Sequence, residues 1–142
     1  RFLLCISMGY PNRQAELELF RGTDRRKMLD DIEPMITPAD LLSLQQQVED
    51  VKLSDAVLDY LHRILEFTRN SEMFQHGLST RAGLGLLRVA KAWALLHGQD
   101  KLLPGDIQKV LPWAVGHRLI PVAGRMSATR IGEEIISKVE VD

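Results

Sequence analysis

Apolar side chains recur at three- and four-residue intervals through most of this chain, and residues that start and stop helices bound the segments so marked. Asn12 can cap a helix from Arg13 to about Arg21, with Ala15, Leu17, Leu19 and Phe20 apolar and Gly22 as its stop. Thr37-Pro38-Ala39-Asp40 opens a second, expected to run to about Gln47; Val48 to Leu53 alternates and could be extended. Ser54 caps a third, to about Arg69, with Val57, Leu58, Leu61, Ile64, Leu65 and Thr68 on one inward stripe. The longest helix is expected from Thr80 to His97, opened by Ser79 and closed by Gly98. Its rows Leu84, Leu87, Lys91, Ala94 and Leu86, Val89, Ala90, Trp93, Leu96 give it a wide apolar surface, as befits a central helix.

Pro104-Gly105-Asp106 starts a further helix with Ile107, Val110, Leu111 and Val115 inward, and Pro112 placed to kink it. A last amphipathic segment, 127 to about 139, carries Ile131, Ile135 and Ile136. Only the opening differs in kind. Residues 2–8 are dense in apolar, β-compatible side chains and end in turn chemistry at Gly9-Tyr10-Pro11-Asn12, which predicts a short strand. The predicted fold class is therefore all-α, a small helical bundle with one short N-terminal strand. A chain opening on Arg1-Phe2-Leu3-Leu4, without an initiator methionine and already inside an apolar run, reads as one cut within a structured region.

Composition narrows the function. A chain of 142 residues, 45% apolar and 26% charged, suits one soluble domain, and a formal net charge of −1 gives no basic field for broad nucleic-acid capture. No run of about 18 apolar residues exists to span a membrane, so a cytoplasmic location is expected. The single cysteine, Cys5, reads as a small buried hydrophobe. The mixed-charge stretch 23–31 reads as a solvated surface loop.

Catalytic signatures are missing. The chain has no Gly-rich loop ending in Gly-Lys-Ser/Thr and no hydrophobic strand ending in paired acids for magnesium. His62, His76, His97 and His117 lack partners at metal-ligand spacing, and no metal site is expected. Asp30-Asp31 and Glu133-Glu134 each point to different faces, and Trp93 and Trp113 read as core or half-core residues. One arginine stands out: Arg81 falls in the first turn of the longest helix, where the positive end of the backbone dipole disfavours a cation. Its counterpart is either a carboxylate or solvent, the commoner case, or a phosphate, since a guanidinium beside free helix-start N–H groups makes an anion site. The small residues Gly77, Ser79 and Ala82 around it are expected to leave the backbone open to a ligand.

Gly77-Leu78-Ser79-Thr80-Arg81-Ala82, then Leu86-Leu87-Arg88-Val89-Ala90-Lys91-Ala92, Ala94-Leu95-Leu96-His97-Gly98, Pro104-Gly105-Asp106-Ile107 and Val115-Gly116-His117-Arg118-Leu119, resemble the lid of MoxR-type AAA+ ATPases. The similarity reaches back through Ile32-Glu33-Pro34 and Val48-Glu49-Asp50-Val51 to Arg1-Phe2-Leu3-Leu4 and Gly9-Tyr10-Pro11, so it covers nearly the whole chain. Thr80 stands where the family pattern has proline, and threonine is tolerated in a first turn. The resemblance implies that residues 1–11 are the last strand of an ATPase core with its junction, and 12–142 the helical lid. It matches Arg81 to the second sensor arginine against the γ-phosphate, Arg1 to an arginine finger reaching a neighbouring subunit's nucleotide, and Tyr10 and Pro11 to the adenine pocket. It implies ATP and Mg2+ in the full-length protein and neither bound by the isolated lid, which alone would not hydrolyse ATP. The implied partners are the chain's own core, neighbouring subunits of a ring and a von Willebrand factor A domain protein, with no nucleic acid and no membrane span. A free-standing helical protein-interaction or DNA-binding module, with residues 79–97 as a recognition helix, is the competing expectation.

Overall fold

The computed structural model describes residues 2–22 and 32–141; Arg1 and the charged stretch 23–31 lie outside the described residues. Among the described residues six helices follow one another: α1 (Arg13–Arg21), α2 (Pro38–Asp50), α3 (Asp55–Asn70), α4 (Thr80–Leu96), α5 (Pro104–Val115) and α6 (Ala128–Lys138). Side-chain caps start most of them. Asn12, Ser54, Ser79 and Ser127 each accept the N–H three residues on, leaving fewer first-turn donors unsatisfied. Thr37 and Asp40 cap reciprocally, the Asp40 carboxylate accepting from the Thr37 hydroxyl at 2.7 Å and N–H at 2.8 Å. Those two bonds, the hydroxyl's foremost, hold the Asp40 carboxyl below the usual carboxylate range.

The chain forms two compact units, residues 7–43 and a larger one made of 1–6 and 44–142. In the smaller, α1 buries no side chain, and Met8, Tyr10, Phe20, Met35 and Leu42 are all largely exposed. The larger unit holds the core. Val57, Tyr60, Leu61, Ile64, Leu65 and Thr68 of α3 face Ala82, Leu86, Val89, Ala90 and Ala94 of α4, Ile107, Val110, Leu111 and Val115 of α5, and Ile131 and Ile135 of α6. Tyr60 takes the inward place expected of Leu58, which is exposed; its hydroxyl accepts from Gln108 at 3.0 Å, so the larger ring is buried without stranding its polar end. Leu84, Trp93 and Leu96 lie outside the buried arc of α4, which is narrower than the sequence suggests. Trp93 instead stacks on His97 with ring centroids 4.3 Å apart.

Glycines set how closely these helices approach. A Cβ at Gly83 would come within 2.7 Å of the Leu65 side chain, and one at Gly132 within 2.6 Å of the Pro112 ring. Pro112, expected only as a kink, thus also fills the space that Gly132 leaves between α5 and α6. At the start of α5, buried Asp106 accepts the Leu103 N–H at 2.9 Å.

Two expectations need correction. Residues 2–8 form no strand, and the described residues contain only the isolated bridges Lys52 with Lys101 and Phe74 with Pro121. A strand needs a ladder, and among the described residues the one backbone bond this segment donates is from the Cys5 N–H to the Trp113 carbonyl at 2.9 Å. Cys5 is accordingly exposed rather than buried, and Phe2 and Ile6 are exposed with it. Second, α2 continues through Val48 to Asp50 instead of ending near Gln47. Extended pairing begins only at Lys52, whose N–H donates to Asp100 and whose carbonyl accepts from Leu102, each at 2.9 Å.

The glycine packing gives a direct test. Gly132→Ala should lower stability by about 1–2 kcal/mol despite alanine's better helix propensity, because the Pro112 ring is closed on its own backbone and cannot swing aside. Gly105→Ala, whose Cβ would meet nothing within 4 Å, should raise stability by roughly 0.5 kcal/mol. Thermal or denaturant unfolding of the two variants reads the contrast.

Candidate functional site

The site grows from the connection between α3 and α4. Thr68, the one polar residue on the buried stripe of α3, donates its hydroxyl to the Leu65 carbonyl at 2.8 Å and accepts the Leu78 N–H at 3.0 Å. The adjoining Arg69 donates from Nε to the Leu78 carbonyl at 2.9 Å, and its Nη2 lies 3.5 Å from the Thr80 hydroxyl. Gly77 is backed against the same turn: a Cβ there would sit 2.4 Å from Arg69 Cα. Ser79 then caps the Ala82 N–H at 3.2 Å, and Ala82 is buried.

This arrangement corrects one sequence reading. Gly77 and Ala82 are small because they pack against α3 and the core, not because they open the backbone to a ligand. The first turn of α4 nevertheless presents Ser79, Thr80 and Arg81 to solvent.

Arg81 lines a groove of about 860 Å³ together with Phe2, Leu3, Leu84, Arg88, Lys91 and Arg118 among others. Its spacing from Leu84, Arg88 and Lys91 puts all four along one side of α4, beside the buried arc. The other cations of the groove are engaged. Arg88 approaches the Glu49 carboxylate at 3.5 Å, and Lys91 donates to the Glu49 carbonyl at 2.8 Å. Arg118 donates to the Phe2 carbonyl at 2.7 Å and the Ala114 carbonyl at 3.1 Å. Among the described residues, no carboxylate pairs with Arg81. The groove is therefore cationic, with Glu49 its single acidic lining residue, and it can receive an anion at the positive end of α4.

The remaining expected site residues are placed as follows. Tyr10 and Pro11 belong to the smaller unit, and both are exposed, Tyr10 almost fully. Arg1 lies outside the described residues. No group of three or more His, Cys, Asp or Glu side chains among the described residues could hold a metal. Residues 79–97 do not form an outward-facing recognition helix, since Ala82, Gly83, Leu86, Val89, Ala90 and Ala94 are buried. No helix is long and apolar enough to cross a membrane, among the described residues. Sequence reasoning missed Thr68 and Arg69; the one signal was a threonine on an otherwise apolar stripe.

Comparison with known proteins agrees with this geometry. Residues 66–139, from the end of α3 through α6, match the AAA lid domain family. Over 99% of its length the chain is 34% identical to the Bacillus subtilis protein YeaC, whose own role is uncharacterized, covering 45% of that protein. Over 98% it is 29% identical to the chaperone MoxR1 of Mycobacterium tuberculosis, covering 39% of it. The crystal structure of a provisionally assigned ATPase from Cytophaga hutchinsonii superposes on the whole chain with a TM-score of 0.81 at 28% identity, and the chain covers 47% of that structure. The chain thus spans less than half the length of each of these relatives. It belongs to the AAA lid domain family, as a lid of the MoxR type.

Proposed function

We propose that this chain is the nucleotide-sensing lid of a ring-forming, chaperone-like AAA+ ATPase, which binds and hydrolyses ATP together with a nucleotide-binding core. Arg81 carries the reading: an exposed guanidinium in the first turn of the central helix, lining a cationic groove and paired with no carboxylate among the described residues. A γ-phosphate is an anion of the right kind for that position, because the guanidinium and the helix dipole favour it together. Arg81 would bind one of its oxygens, and the rigid connection to α3 would carry the presence or loss of that contact into the position of the lid. The nucleotide supplies the transferable phosphoryl group. By the same resemblance, the ligands for Mg2+ would come from the core.

The finer assignments follow from the same resemblance. Residues 1–11 would form the junction with the core and 12–142 the lid, with Tyr10 and Pro11 against the adenine and Arg1 reaching the nucleotide of a neighbouring subunit. The exposed apolar side chains of the smaller unit suit contact with that core. A von Willebrand factor A domain protein is the proposed partner, and the cytoplasm the proposed location.

The lid by itself is expected to show no ATP turnover above a buffer blank; turnover that substitutions within residues 1–142 abolish would overturn the assignment. In the ATPase carrying both core and lid, Arg81→Ala should slow hydrolysis by roughly ten- to a thousandfold, the range for removing one charge-stabilising donor. Thermal stability should barely change, because Arg81 is exposed and makes no ion pair among the described residues. Normal turnover with a clear loss of stability would instead make Arg81 a structural residue.

A further inference from the structure

We propose that Thr68 and Arg69, at the end of α3, are positioning residues for Arg81, acting through the backbone of Leu78. The inference rests on the reading of Arg81 as the phosphate-sensing group, and deepens it. Leu78 is the last buried residue before α4 begins, and both polar groups of its backbone are held by the final turn of α3: the N–H by the Thr68 hydroxyl at 3.0 Å, the carbonyl by Arg69 Nε at 2.9 Å. Neither holder is free to drift. The Thr68 hydroxyl is fixed in turn by its bond to the Leu65 carbonyl, and Arg69 lies against Gly77, where even a methyl group would collide with its Cα.

Only Ser79 and Thr80 lie between Leu78 and Arg81, and both are exposed. Downstream, Ala82 and Gly83 tie the helix to the core. The first turn of α4 is thus held at two points, and the upstream point is the Leu78 clamp. Loss of one clamp bond would leave α4 packed through Leu86, Ala90 and Ala94 while letting its first turn shift. A shift of that kind changes where the Arg81 guanidinium sits without unfolding the domain. Movement of the lid as a body would likewise be transmitted from α3 to Arg81 through these bonds rather than lost in a slack loop.

A double-mutant cycle in the ATPase carrying its core separates this role from simple stabilisation. Thr68→Val keeps the shape and removes the hydroxyl; Arg69→Met keeps the stem beside Gly77, removes the donors and, being at an exposed position, leaves the core intact. Each is measured alone and combined with Arg81→Ala, with the folded fraction verified by circular dichroism at the assay temperature. Each alone should lower kcat for ATP hydrolysis at saturating ATP by about three- to thirtyfold, within the range that ångström-scale misplacement of a group can cost. Neither should lower it further once Arg81 is alanine, and Thr68→Ser, which keeps the hydroxyl, should restore near-normal kcat. Slowing by the same factor in both backgrounds, or no slowing by either variant while Arg81→Ala is slow, would overturn the positioning role and leave Arg81 as the sensor. A normal rate for Arg81→Ala itself would overturn both.

Discussion

The larger unit depends on burying one helix whose apolar arc is too wide to face water. Along α4, Ala82, Gly83, Leu86, Val89, Ala90 and Ala94 are buried, and the small members of that set let α3 and α5 approach closely. Ala90 and Ala94 are wholly enclosed. Close packing of this kind leaves little room for α4 to rotate or slide, so the side chains along its open edge, Arg81, Leu84, Arg88 and Lys91, inherit a fixed bearing. Under the proposed reading, Arg81 on such a helix would report the position of the larger unit.

Electrostatics divides the work among those cations. Glu49, at the end of α2, engages both Arg88 and Lys91, while Arg118 is spent on carbonyls of Phe2 and Ala114. Engaged cations tie Glu49 and Phe2 to the bundle. These contacts are largely exposed, and pairs of that sort contribute little stability singly; their effect is to shape the groove and keep it positive. Arg81 is left at the point where the helix dipole would otherwise oppose it, a placement that suits an anionic visitor better than a structural role.

Much of this was legible in the sequence because helices announce themselves locally. Asn12, Ser54, Ser79 and Ser127 each cap where their residue type suggests, and Pro104 and Gly98 mark a start and a stop. Arg81 stood out for the same local reason, a cation in a first turn. What was not legible depends on contacts between distant residues. The apolar run at 2–8 has strand composition, but composition cannot supply a neighbouring ladder, and none forms. A glycine at 77 reads as open backbone, but Arg69 packs behind it, and the bond from Leu78 to Thr68 spans ten positions with no periodicity to betray it. Leu58, expected inward, is exposed while Tyr60 is buried, its hydroxyl satisfied by Gln108 on another helix.

The central claim is that Arg81 meets a γ-phosphate, and nucleotide affinity measured by calorimetry tests it most directly. In the ATPase with core and lid, a non-hydrolysable ATP analogue and ADP would be titrated into the unsubstituted protein and into Arg81→Ala. The account expects the analogue to lose affinity while ADP binds nearly as before, because only the analogue carries the group that Arg81 contacts. Equal loss for both nucleotides, or no loss for either, would contradict it.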